Sequence, residues 1–361
     1  MKVLHVETGR NLYGGAQQVL WLIDGLARNG VESTLVCSTG SAISQLAEEQ
    51  GLRTIALPCA GDLDLRFGWR LKNLIETERP HLVHCHSRRG ADLLGGRAAR
   101  RAGVPALVSR RVDNHELPRL AAMRYSPYRK IIAISEAIAM VLRADGVEPD
   151  RIKVIRSAVD AERFAKPPDR KRFLELIGDK QGQRIIFCVA QLIARKGQRF
   201  LIEAMAQLVP RYPDLQLFLF GRGPTGAALR AEVKRLGLQE HVTFAGFRRD
   251  LDSYLGCAEL LVHPATEEGL GVAALKAAAS GVPVIAFAAG GLAEAVADGE
   301  TGLLVPPCDV AALAKSIGTL LDDPERCRQF GERGRQRMRA EFSIAAMVDA
   351  HLQLYRSIIN D

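Results

Sequence analysis

The residues best suited to chemistry lie in short loops, each set between an apolar run and a helical pattern. One loop reads His263-Pro264-Ala265-Thr266-Glu267-Glu268-Gly269-Leu270-Gly271-Val272. It joins two carboxylates, two glycines and an expected helix start. A helix N-terminus carries unpaired N–H groups and partial positive charge, so this loop suits a polar ligand bearing both hydroxyls and phosphate. A plainer reading stands beside it, because acids near a helix start interact well with the dipole alone. Residues 190–197 place Arg195-Lys196 before Gly197 and a new helix. That pattern is either a diphosphate clamp or two solvated cations. Residues 9–17 hold Gly14-Gly15 at another helix start, where a ligand could approach the backbone closely. Their spacing is not G-x-G-x-x-G, which weakens the case for a dinucleotide dehydrogenase. Phe220-Gly221-Arg222-Gly223-Pro224 and Ala289-Gly290-Gly291-Leu292 repeat the glycine-rich turn. His84 and His86 flank Cys85 and share one side of an expected strand. With no acid or thiol at suitable spacing, no metal site is expected there. His84 is read as packed, His86 as facing a ligand cleft and His5 as structural.

These loops need elements to hold them. Short β-branched runs at 3–6, 34–37, 54–57, 82–85, 106–109 and 131–134 alternate with helical patterns at 16–29, 71–78, 91–102 and 136–144. This alternation predicts βαβ units and a parallel sheet. Pro167-Pro168 interrupts it, and the domain linker is placed at 165–169. Strands then resume at 185–189, 215–220, 242–244, 260–263, 284–287 and 302–305, with helices at 198–209, 225–236, 270–279 and 310–321. The tail 324–360 is helical and amphipathic. The expectation is two Rossmann-like, doubly wound α/β domains, 1–165 and 166–340, facing across a cleft, with 341–361 packing back on the first. In such sheets ligands sit beyond the carboxyl ends of the strands.

Composition bounds the partners. The 361 residues carry a net charge of +8, are 47% hydrophobic and 25% charged, and suit two soluble domains. Fifteen Lys or Arg and five Asp or Glu fall between positions 66 and 130. This segment is either a solvated face or a docking surface for a phosphorylated or membrane-held partner. Aromatics are sparse among its charges and no nucleic-acid motif is present, so nucleic acid is not the expected partner. Seven cysteines without a C-x-x-C pair point to a reducing compartment. No signal-peptide pattern follows MKVLHVETG and no apolar run is long enough to span a bilayer, so the expected location is cytoplasmic, with membrane attachment only peripheral.

Taken in order, the motifs resemble the family 4 glycosyltransferases, the large retaining group with the GT-B fold. The markers are Gly14-Gly15-Ala16-Gln17, Val83-His84-Cys85-His86-Ser87, Ala133-Ile134-Ser135-Glu136 and Leu192…Lys196-Gly197. They continue with Gly221-Arg222-Gly223, Val242-Thr243-Phe244-Ala245-Gly246, His263-Pro264, Glu268-Gly269-Leu270-Gly271, Gly281-Val282-Pro283-Val284 and Gly290-Gly291…Glu294. The resemblance implies that Lys196 binds the donor diphosphate and Glu268 the sugar hydroxyls. Amides from Gly269, Leu270, Gly271 and Val272 would hold sugar and phosphate oxygens. Gly14 and Gly15 would face the phosphates from the first domain, and Gly221 belongs to the same donor set. Gly246 and Phe247 would border the nucleobase, and His86 the transferring sugar.

Three departures qualify that reading. Gln191 stands where the family carries Arg, leaving Arg195 as the candidate second cation. Gln17 replaces a Glu. Lys276 occupies the position of the second Glu of an E-x7-E motif, which in the family grips ribose; an ammonium donates to hydroxyls but cannot accept from them. The expected activity is retaining, metal-independent transfer of a sugar, with the nucleotide sugar, a UDP-linked one, as co-substrate and no cofactor. The acceptor would be a glycan or glycolipid such as lipopolysaccharide core, with Arg88, Arg110 and Arg111 as acceptor residues and an anionic membrane surface as a further partner. The alternatives are a GT-B epimerase or phosphorylase, and a non-catalytic nucleotide-sugar-binding protein.

Overall fold

The structure is a computed structural model that describes residues 1–10, 14–178 and 182–360. The chain forms two units, Met1–Ala158 with the segment from Ile344 onward, and Val159–Ser343.

In the first unit the strands are β1 (Lys2–Glu7), β2 (Glu32–Ser38), β3 (Thr54–Leu57), β4 (Leu82–Cys85), β5 (Ala106–Arg110), β6 (Lys130–Ala133) and β7 (Ile152–Val154). They line up as β3-β2-β1-β4-β5-β6-β7, every neighbouring pair parallel. The strands read from alternation are all present. β7, three residues at the sheet edge, is too short to show as a periodic run. The order reverses between β1 and β4, where a doubly wound sheet opens a crevice. Helix Gly14–Arg28 packs on helix Ile344–Asn360 so closely that a Cβ on Gly25 would lie 2.4 Å from Val348 Cγ2. The Gln18 amide donates to Ala158 O and accepts from Ala158 N, both at 2.7 Å, fixing the end of the unit.

The second unit holds β8 (Arg184–Val189), β9 (Leu215–Phe220), β10 (Val242–Gly246), β11 (Leu260–His263), β12 (Val284–Phe287) and β13 (Gly302–Val305). Their order is β10-β9-β8-β11-β12-β13, again parallel, with the reversal between β8 and β11. Near-continuous apolar strands such as Leu215–Phe220, buried along their whole length, are what a sheet covered on both faces requires.

The crossings between units differ from the sequence expectation. The prolines at 167 and 168 do not separate domains. They lead into helix Arg170–Ile177, whose N-cap Asp169 donates its amide to Ser253 O at 2.7 Å within the second unit. The chain leaves the first unit at Ala158 and returns after Ser343. The amphipathic tail is two helices, Pro324–Glu341 and Ile344–Asn360, and they serve different units.

Candidate functional site

In the second unit three loops at the carboxyl edge of the sheet converge. After β8, a single turn at Ala194–Lys196 ends at Gly197, which has φ +67° and opens helix Gln198–Leu208. A Cβ on Gly197 would lie 1.9 Å from Pro264 O, so only glycine lets this turn meet the loop after β11. Gly290, in the loop after β12 with φ +52°, is constrained likewise: its Cβ would lie 2.2 Å from Glu268 O. Gly291 N donates to Glu268 O at 2.9 Å, and Thr266 N to Arg195 O at 2.9 Å. Gly197 and Gly290 thus serve loop-to-loop packing.

This packing brings two side chains to one carboxylate oxygen. Lys196 Nζ donates to Glu268 Oε2 at 2.6 Å, and His263 Nε2 contacts the same oxygen at 2.7 Å. Lys196 is only 8% exposed, while the Glu268 side chain keeps some solvent access. Burial alone would raise the Glu268 carboxyl. The hydrogen bond and electrostatic pull of His263, with those of Lys196, outweigh it and bring it down to about 2. Glu268 is therefore an ionised, acceptor-only group across the neutral range. Directly beyond it, Gly271 (φ +88°) caps helix Val272–Ala279, whose first N–H groups lack intrahelical partners. Gly269, Leu270 and Gly271 are buried in this turn. A cation, a fixed carboxylate and helix-end amides together can bind a group carrying both hydroxyls and phosphate.

The remaining donor candidates of this unit lie around that centre. Arg195 Nη1 donates to Glu267 O at 3.4 Å, and Gln191 points outward while its carbonyl accepts from Gln198 Nε2 at 2.9 Å. Gly221 and Gly246 are neighbours, joined by Gly221 N to Gly246 O at 2.8 Å, and Phe247 beside them is 54% exposed. Lys276 lies one turn after Val272 on the same helix. Its ammonium reaches both oxygens of Asp252 at 2.9 Å and sits 5.6 Å from the centre of the Phe164 ring. The cation that replaced an expected Glu is thus held by a carboxylate. Sequence reasoning missed Asp252 and gave His263 no role; Asp252 is 24 residues from Lys276, and no spacing rule connects them.

In the first unit, Gly14 and Gly15 start helix Gly14–Arg28; the preceding residues 11–13 lie outside the described ones. A Cβ on Gly15 would lie 3.2 Å from Arg111 Cδ, and Arg111 Nη1 donates to Ser157 Oγ at 3.3 Å. Burial pulls the Arg111 guanidinium down to about 10, against the opposing effect of Glu7. Arg111 therefore belongs to the glycine loop. Arg88 and Arg110 are not free cations either. Arg88 pairs with Glu116, and Arg110, 3% exposed, lies 3.8 Å from the other Glu116 oxygen. Arg124 bridges Asp92 at 2.8 Å and Glu116 at 3.2 Å, so Arg88, Arg110 and Arg124 are all tied to carboxylates of the same segment.

His86 is 1% exposed, and the ligand-facing orientation expected for it gives way to burial. His84 meets the helix Ile344–Asn360 through His351 and Tyr355, and His86 stacks beside His5 and His84. His5 Nδ1 and His86 Nε2 are 2.9 Å apart, while His84 contacts Tyr355 Oη at 2.6 Å and Ser109 Oγ at 2.9 Å. One ring nitrogen each from His5, His84 and His86 falls within 4.8 Å of the others; His5, read as structural, joins the pair because β1 lies beside β4 with His5 in register with His84. Burial holds His5 at about 3 and His351 at about 4, and keeps His84 and His86 well below the usual range.

Comparison with known proteins agrees with this layout. The family model "Glycosyltransferase Family 4" matches residues 13–163, and "Glycosyl transferases group 1" matches residues 169–337. The chain is 34% identical over 285 residues to a GDP-mannose-dependent alpha-(1-6)-phosphatidylinositol monomannoside mannosyltransferase of Mycolicibacterium smegmatis, covering 74% of each chain. It is 29% identical to a 2-deoxystreptamine glucosyltransferase of Streptomyces kanamyceticus, covering 77% of each. Among solved structures, Anabaena Alr3699/HepE in complex with UDP-glucose superposes with a TM-score of 0.87 at 21% identity, covering 99% of this chain and 100% of that one. That likeness establishes a GT-B fold for the two units.

Proposed function

The chain belongs to the group 1, family 4 glycosyltransferases, and from that premise we propose that it transfers a hexose, with retention and without a metal ion, from a UDP-sugar to a lipid-linked or envelope glycan. The observation that carries the reading is the convergence of Lys196, His263 and Glu268 before the amide end of helix Val272–Ala279. Lys196 and the helix amides bind the diphosphate and stabilise its charge as the anomeric C–O bond breaks. Glu268 accepts hydrogen bonds from the sugar hydroxyls. The acceptor oxygen bonds to the anomeric carbon on the face the diphosphate leaves. The departing phosphate oxygen takes the acceptor proton, so a nucleoside diphosphate is released.

A lipopolysaccharide core is one such acceptor. A lipid-held one is favoured by the Mycolicibacterium relative, whose name specifies a phosphatidylinositol mannoside. That relative also supports a second donor reading, a GDP-sugar, against the UDP-glucose bound by the Anabaena protein. The reading places the protein in the cytoplasm, at the inner membrane face. A thermal-shift screen against UDP- and GDP-sugars, followed by measurement of released nucleoside diphosphate, tests the proposal. A cognate donor raises the melting temperature and is turned over on adding acceptor, with chelator leaving the rate unchanged. Stabilisation and turnover by no nucleotide sugar would overturn it, and stabilisation without turnover would mark a non-catalytic binding protein.

A further inference from the structure

Four histidines of the first unit lie in one cluster, and the transfer proposed above uses none of them. His5 on β1 and His84 on β4 are partners in adjacent parallel strands. His86 follows two residues after His84, and His351 comes from helix Ile344–Asn360. All four are buried. The sequence offers no third ligand at a fixed spacing from His84 and His86; the register of β1 on β4 supplies one.

These rings leave hydrogen-bonding capacity unused in the interior. His351 Nδ1 lies 2.8 Å from Met347 O. A carbonyl only accepts, so Nδ1 carries the proton and Nε2 holds a lone pair. That Nε2 has no partner among the described residues, and neither has His5 Nε2 or His86 Nδ1. His5 Nδ1 and His86 Nε2 are 2.9 Å apart. Whichever of the two donates, the pair still ends in one bare lone pair and one bare N–H. Polar groups left in this state in a core call for an explanation.

A metal ion supplies one. One ring nitrogen from each of His5, His84 and His86 falls within 4.8 Å of the other two. Two imidazole ligands of a tetrahedral zinc ion stand about 3.4 Å apart. The His5–His86 pair is already inside that separation, and His84 must close by no more than about 1.4 Å. A metal-bound imidazole also needs a polar partner on its other nitrogen to fix the ring. His84 has Tyr355 Oη at 2.6 Å on Nδ1 and Ser109 Oγ at 2.9 Å on Nε2, so one nitrogen stays supported when the other is a ligand. His351 has Met347 O in the same role.

We propose that His5, His84 and His86 bind one divalent transition-metal ion, zinc by ligand type, with His351 completing a four-imidazole set that clamps helix Ile344–Asn360 onto the sheet. Imidazole suits zinc, copper and nickel, whereas calcium and magnesium take oxygen ligands. The role is structural, since four protein ligands leave no open position for a substrate. Enclosed beneath the helix, the ion exchanges only when the unit opens. A chelator added to the folded protein therefore leaves it in place, and the inference stands apart from the metal independence proposed for transfer.

Tag-free protein refolded from urea with one equivalent of zinc, or with a chelator, tests the site. The zinc-refolded form should keep one equivalent through gel filtration in chelator and should melt higher than the metal-free form. Cobalt in place of zinc should give the visible bands of a tetrahedral ion without the thiolate charge-transfer band of a cysteine site. His351→Phe should weaken zinc binding by at least the roughly ten- to hundredfold that losing an outer partner costs. His5→Phe should abolish retention, and His115→Ala, which alters an exposed histidine, should change nothing. No retained zinc in the native protein would overturn the proposal. So would undiminished retention in folded His5→Phe, or a thiolate band with cobalt. If His5→Phe does not fold, the cobalt spectrum of the native protein decides.

Discussion

Lys196 and His263 meet on a single oxygen of Glu268, and the predictions at this scale follow from that geometry. Removing Lys196 leaves a carboxylate short of its cation and the donor phosphates without their counter-charge. Lys196→Ala should lower turnover on the order of a hundredfold or more, a loss read in kcat at saturating donor. Glu268→Gln keeps the shape but turns one acceptor into a donor, and should fall nearly as far as Glu268→Ala. Because the Glu268 carboxyl is held down at about 2, its protonation should add no acid limb to the pH–rate profile of the native protein. In His263→Ala it loses the neighbour that contributes most to holding it down. Its carboxyl should then rise, and an acid limb should enter; an unchanged profile would count against a positioning role for His263. The carboxylate also stabilises the fold above its ordinary value of about 4.3, and that part is lost as pH falls toward 2.

At the scale of elements, the site depends on loops that glycine allows to touch. Gly290→Ala must place a Cβ 2.2 Å from Glu268 O and hold an αL backbone. The change should cost about 1–3 kcal/mol, seen as a lower denaturation midpoint, and should cut turnover beyond what the stability loss explains, because it displaces Glu268. Equal turnover per folded molecule would show that the loop contact is only structural. The strands and their order of appearance were legible, since buried parallel strands are short apolar runs at regular spacing. The loop motifs were legible as well, including Glu268 and Lys196. The partners those groups take were not. His263 lies five residues before Glu268 but meets it only because Gly197 and Gly290 fold the loop back, and Asp252 reaches Lys276 across separate elements. Charge counting left residues 66–130 as a solvated face or a docking surface, and could not show that Asp92 and Glu116 hold Arg88, Arg110 and Arg124. Pro167-Pro168 resembled a linker because proline ends helices wherever it occurs, whether or not a domain ends there.

At the scale of the molecule, the last helix completes the first unit, and its His351 and Tyr355 join His84 in a buried core. His5 Nε2, His86 Nδ1 and His351 Nε2 have no hydrogen-bond partner among the described residues, and burial depresses all four imidazoles. A histidine with a lowered folded value contributes its full stability above the unfolded value of about 6.5 and loses it as pH falls from there. Urea midpoints should therefore drop steeply below that pH, and His351→Phe should flatten the drop; a midpoint insensitive to mild acid would show that the cluster is hydrated or charged. The central claim is that the Lys196, His263 and Glu268 convergence handles a nucleotide-sugar donor. It is tested most directly by nucleoside diphosphate release with a cognate donor and acceptor, in native protein, Lys196→Ala and Glu268→Ala matched for melting temperature. The account predicts release by the native protein and loss on the order of a hundredfold in each variant. Near-native release from either folded variant would contradict it.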